Sequence, residues 1–113
     1  MKILYVEDEA IILLVVSEDL RDEGHIVEGQ VSCDEAINAL QDHDVDLLIT
    51  DIHTPGELDG WQLAIQARVL YPTLPVIYTT AFGKDQDKVV PKSVYIAKPF
   101  TTRELLNAIK KVT

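Results

Sequence analysis

Apolar positions along the chain fall into two rhythms. Short continuous runs occur at Ile3–Val6, at "DLLIT" (Asp46–Thr50), at "PVIYT" (Pro75–Thr79) and at Val94–Ala97. They read as buried strands, and Ile26–Gly29 is a weaker fifth candidate. Longer stretches between them read as helices. Ala10–Glu23 is rich in β-branched residues, but its length favours a helix, and Gly24 supplies the stop. "SCDE" (Ser32–Glu35) and "TTRE" (Thr101–Glu104) are capping-box patterns, opening helices that run to about Asp42 and to Val112. Trp61–Leu70 forms another helix, closed near Pro72. Ala81–Lys92 is polar, contains Gly83 and Pro91 and shows no helical stripe. We expect little helix there and cheap local opening.

Strands that alternate with helices, and that are apolar on both faces, imply a parallel sheet covered on both sides. A length of 113 residues suits one domain, 1–113, and no segment reads as an added output domain. Hydrophobic residues make up 47% of the chain, enough for a packed core. The formal net charge of −9 disfavours nucleic acid as a partner; acidity fits plain solubility equally well. Cys33 is the one cysteine, which excludes an internal disulfide and suits a reducing compartment. The start "MKILYVEDE" lacks the form of a signal peptide, and Ala10–Val16 is too short to span a bilayer. A cytoplasmic protein is expected, with no membrane partner.

Ligands of open parallel sheets bind beyond the carboxyl ends of the strands. Glu7 and Asp8 follow the first strand, Asp51 the third, Thr80 the fourth and Lys98 the fifth. Three carboxylates, a hydroxyl and an ammonium therefore converge on one rim. Crowded carboxylates repel, and a hard divalent cation such as Mg²⁺ relieves the repulsion. With the metal in place, an Asp can accept a phosphoryl group as an acyl phosphate. Thr80 can donate a hydrogen bond to a phosphate oxygen, with Thr79 as the alternative hydroxyl. Lys98 is the counter-charge of the acidic rim, and Pro99 fixes the backbone behind it.

The ordered pieces "VEDE", "LLITD" with "PGELDG", "TTA" and "AKPF" resemble the response-regulator receiver domain of two-component signalling, over essentially the whole chain. The resemblance implies a flavodoxin-like (βα)5 fold with strand order 2-1-3-4-5, here with a short or missing helix between the fourth and fifth strands. It implies that Glu7 and Asp8 hold Mg²⁺; from the crowding of the carboxylates we expect Glu7 to act mainly through water. Asp51 would be the phosphoacceptor, and the His53 backbone carbonyl would complete the metal site. Thr80 would be the switch hydroxyl, Lys98 the conserved-type lysine of the motif and Tyr95 the aromatic switch, although Tyr95 also suits an ordinary half-buried strand position. The donor would be a sensor histidine kinase or a histidine phosphotransfer protein, and chemistry would be limited to the domain's own phosphorylation and hydrolysis. A monomer or weak dimer is expected. Three departures stand out: the stretch from Asp51 to Gly60 is one residue longer than usual, Thr54 stands where methionine is common, and the segment between Thr80 and Lys98 is several residues shorter than usual.

Competing chemistries fit less well. A haloacid-dehalogenase phosphatase needs an acidic residue where His53 stands. A flavin carrier needs a glycine- and hydroxyl-rich phosphate loop where the chain has "VEDEAII". A receiver that binds partners without phosphorylation would not need the intact rim. Trp61 reads as packing, the three histidines as surface residues, and Lys110 and Lys111 as partners of a helix C-terminus. On a helical wheel, Ile12, Val16 and Leu20 form the core stripe of the first helix, with Leu14 opposite. That leaves apolar surface for a partner to dock on.

Overall fold

The computed structural model describes residues 1–42, 44–81 and 90–113. Its strands are β1 (Lys2–Val6), β2 (Ile26–Gln30), β3 (Leu47–Asp51), β4 (Val76–Thr80) and β5 (Ser93–Ala97). The helices among the described residues are α1 (Ala10–Asp22), α2 (Cys33–Asp42), α3 (Gly60–Leu70) and α4 (Thr102–Val112). All strands pair in parallel, in the order β2-β1-β3-β4-β5. The sheet is thus the flavodoxin-like arrangement expected. The expectation for the segment between β4 and β5 falls mainly on residues 82–89, outside the described residues.

Period-2 alternation explains the continuous apolar runs, because both sheet faces are covered. Leu4, Val6, Leu48, Val76 and Tyr78 pack with Ala36 and Leu40 of α2 and Leu63 and Ala67 of α3. The intervening residues Ile3, Tyr5, Leu47, Ile49 and Ile77 pack with Leu20 of α1 and Leu105 and Ile109 of α4. Central β1, β3 and β4 are buried almost throughout, while β5 is half-buried at the edge.

Local signals set the helix ends. Gly24 adopts φ +93° just past α1. Its amide donates to the Arg21 carbonyl at 2.9 Å and the His25 amide to the Leu20 carbonyl at 3.2 Å, which is a Schellman stop. Thr101 and Glu104 form the expected capping box of α4. The Glu35 amide donates to Ser32 Oγ at 3.2 Å in front of α2. Asp59 and Gln62 form another capping box, which fixes the start of α3; "DGWQ" carries that pattern in the sequence as plainly as the other two.

The buried stripe of α1 differs from the wheel expectation. Leu13, Val16 and Leu20 join the core on this side, and Ser17 is buried between them. Leu13 reaches inward because Gly29 has no side chain: a Cβ there would lie 3.1 Å from Leu13 Cδ1. Ile12 instead lines a groove beside α1. The wheel misplaced the stripe because it counted apolar residues and so passed over Ser17.

Candidate functional site

The carboxyl ends of β1, β3 and β5 bring the rim together. Asp51 is the last residue of β3 and Thr80 the last of β4, while Glu7, Asp8 and Lys98 follow their strands directly. Glu7, Asp8 and Asp51 each place a carboxylate oxygen within 4.8 Å of the others. Glu7 is fully buried, Asp51 is buried and Asp8 is exposed.

Lys98 closes the cluster. Its Nζ donates to Asp51 Oδ2 at 2.8 Å and also pairs with Glu7. The lysine is held in place by its own backbone, whose amide donates to the Thr80 carbonyl at 2.8 Å. The Lys98–Pro99 peptide is cis. The second Glu7 oxygen accepts the Glu9 amide at 3.1 Å, and Asp51 Oδ1 accepts the His53 amide at 3.4 Å.

The electrostatics follow from burial and pairing. Burial raises the Glu7 carboxyl above its usual range; Lys98 and the Glu9 amide pull it down, and the Asp51 charge pushes it up. Burial alone would lower the Lys98 ammonium, but the hydrogen bonds to Asp51 and Glu7 more than offset that and raise it. The Tyr5 phenol beneath the cluster is raised by burial and then by the charges of Glu7 and Asp51, so it stays neutral.

The other expected residues lie nearby in different settings. His53 is exposed on the loop after β3. Thr80 is buried at the end of β4. Thr79, the alternative hydroxyl, is the cross-strand partner of Asp51, and its own Oγ1 is buried without a hydrogen-bond partner. Tyr95 is half-buried against the core on the α2–α3 side, with its hydroxyl shielded from solvent and unpaired.

Sequence reasoning missed two supports of Asp51. Gly60 packs so closely against the end of β3 that a Cβ would lie 2.5 Å from the Asp51 carbonyl oxygen, and its amide donates to the Ile52 carbonyl at 2.8 Å. Asp34, in the first turn of α2, accepts the Glu57 and Leu58 amides of the β3–α3 loop. No local pattern announces a contact between residues so far apart in sequence.

Three carboxylates supply the hard oxygen donors that a small divalent cation takes. A paired ammonium beside a buried Asp at a strand end suits acceptance of an anionic group. The parallel sheet and the acidic rim at its carboxyl edge together define a receiver-type α/β domain, and the comparisons agree. The response regulator receiver domain model matches residues 3–110, and the chain belongs to that family. It is 34% identical to the two-component response regulator PhoP of Pseudomonas aeruginosa, over 96% of this chain and 51% of that protein. The chain thus spans about half the length of that curated relative.

Among solved structures, a response regulator receiver protein from Sinorhizobium medicae WSM419 superposes with a TM-score of 0.94 at 34% identity, covering 99% of this chain and 93% of that one. The Vibrio cholerae chemotaxis protein CheY4 gives a TM-score of 0.89 at 27% identity, covering 99% and 98%. Among the described residues no helix is long and apolar enough to cross a membrane.

Proposed function

We propose that this protein is a phosphorylation-dependent signalling switch, with Asp51 as the phosphoacceptor. The observation that carries this reading is the Lys98 ammonium shared between the buried carboxylates of Asp51 and Glu7, with Asp8 alongside. In the reaction an Asp51 carboxylate oxygen attacks the phosphorus of a phosphohistidine. The bond from phosphorus to the donor nitrogen breaks, and the imidazole leaves with the electron pair. Lys98 then pairs with a phosphoryl oxygen. Thr80, at the adjacent strand end, donates its hydroxyl to another, with Tyr95 of β5 as the aromatic switch residue.

Asp8, Asp51 and the His53 carbonyl would hold Mg²⁺. Both Glu7 oxygens are already engaged, by Lys98 and by the Glu9 amide, which suits a role through water. When bound, the ion offsets the charge between the acceptor carboxylate and the incoming phosphoryl oxygens. Asp8→Asn should weaken Mg²⁺ binding about tenfold or more. The same variant should be at least as stable as wild type without metal, because it removes one of the crowded charges. Wild-type affinity in a Mg²⁺ titration of that variant would remove Asp8 from the site.

A sensor kinase or phosphotransfer protein would dock along α1. A groove of about 520 Å³ is lined by Ile11, Ile12, Val15, Val16 and Phe100 and reaches Lys98. Ile11 and Val15 are exposed, and so is Leu14, although Leu14 does not line the groove. Apolar side chains in water beside the acceptor suit a partner helix that brings its phosphohistidine to Asp51. Val15→Glu should slow transfer from a phosphohistidine donor about tenfold while phosphorylation by a small phosphodonor continues; a charge set into a docking core costs on this scale. Equal transfer rates would exclude the groove. We place this switch in the cytoplasm, where its donors carry their phosphohistidines.

A further inference from the structure

We infer that Asp34 is a positioning residue for the acceptor site, acting through the β3–α3 loop. The inference rests on the reading of Asp51 as a metal-assisted phosphoacceptor.

The loop from Ile52 to Asp59 leaves Asp51 and carries the His53 carbonyl. Its near end is tied to the sheet, with the Ile52 amide donating to the Thr79 carbonyl at 3.1 Å. Its far end is tied by the α3 capping box. Between these ends, without a support, the loop amides would be left to water.

The first turn of α2 supplies that support at two points. Asp34 Oδ2 accepts the Glu57 amide at 3.0 Å and Oδ1 accepts the Leu58 amide at 2.8 Å. One residue earlier on the helix, the Cys33 amide donates to Thr54 Oγ1 at 3.2 Å. Thr54 Oγ1 in turn donates to the Leu58 carbonyl at 3.5 Å, closing the loop on itself. Thr54 and Asp34 therefore act on the loop as one device.

Gly56 shows how closely the carboxylate is seated. It has φ +113°, and a Cβ there would lie 2.5 Å from Asp34 Oδ2. The two amides hold the Asp34 carboxyl below its usual range, which agrees with a carboxylate bound as an anion by backbone N–H groups.

The chain of contacts runs from Asp34 through Leu58 and Thr54 to His53, whose amide reaches Asp51 Oδ1. Asp34 touches no reacting group. It limits where the His53 carbonyl can lie, and so how well the site is formed before a cation arrives. Residues that orient metal ligands from behind typically change affinity by about 10–100-fold when removed.

The test uses amide NMR on the purified protein. In metal-free Asp34→Ala, exchange at the Glu57 and Leu58 amides should speed up, and the Mg²⁺ dissociation constant should rise about tenfold. Asp34→Asn keeps one acceptor oxygen and should fall between Asp34→Ala and wild type; it also serves if the alanine variant does not fold. Ser32→Ala weakens the start of the same helix by removing the Ser32 Oγ contact, yet leaves the loop contacts in place. It should bind Mg²⁺ as wild type does. Wild-type affinity in Asp34→Ala, or an equal loss in Ser32→Ala, overturns the inference. Failure of wild type to bind Mg²⁺ would instead overturn the reading of the site, and unchanged loop exchange in metal-free Asp34→Ala would overturn the latch independently of any metal.

Discussion

Lys98→Met should lower the stability of the metal-free protein by about 3 kcal/mol near neutral pH, the scale for removing one partner of a buried ion pair. Added Mg²⁺ should restore much of the loss. The Lys98 side chain is 13% exposed and the Glu7 side chain not at all. Without the ammonium, Glu7 and Asp51 face each other with no counter-charge. Burial already raises Glu7, and removing Lys98 removes an influence that lowers it, so in the variant Glu7 holds its proton to higher pH. A native state that keeps a proton the unfolded chain has released loses stability as pH rises. The deficit should therefore be small below the ordinary glutamate value of 4.5 and grow as pH rises through the raised value of Glu7. Mg²⁺ should bind the variant more tightly than wild type, because the ammonium no longer competes for the same oxygens. Denaturant unfolding with chelator and with Mg²⁺ at two pH values measures all of this. A variant as stable as wild type in chelator would show that Lys98 is not the counter-charge of the rim.

The sheet was legible in the sequence because each buried strand is a short apolar run and both faces are covered. Side chains alternate between two cores, so the runs show no polar interruption. The ends of the strands were legible for the same reason: polarity changes abruptly at Glu7, Asp51 and Lys98, where the chain leaves the core. Helix starts at Ser32 and Thr101 were readable from local chemistry. The start of α3 carries the same signal at Asp59 and Gln62, set among the turn residues of the preceding loop.

What the sequence hid depends on contacts across the fold. Ser17 faces the core of α1 although it is polar, which shifted the apparent stripe and misassigned Ile12. Gly60 looks like any turn glycine until the backbone of Asp51 is placed 2.5 Å from its missing Cβ. Asp34 looks like a helix N-terminal acid that complements the dipole; its loop partners lie 23 and 24 residues away. Of these, Gly60 and Asp34 support the site, and Asp34 does so from outside the motifs that mark it.

Phosphoryl acceptance by Asp51 is tested most directly by intact mass. Wild type and Asp51→Asn are incubated with Mg²⁺ and a small phosphodonor, with a chelator control. An asparagine keeps the shape of the side chain and one acceptor oxygen but lacks the nucleophilic carboxylate. Wild type should gain one phosphoryl group, lose it slowly in water, and gain none in chelator; Asp51→Asn should gain none under any condition. A phosphoryl adduct on Asp51→Asn equal to that on wild type would contradict the assignment of Asp51 as the acceptor.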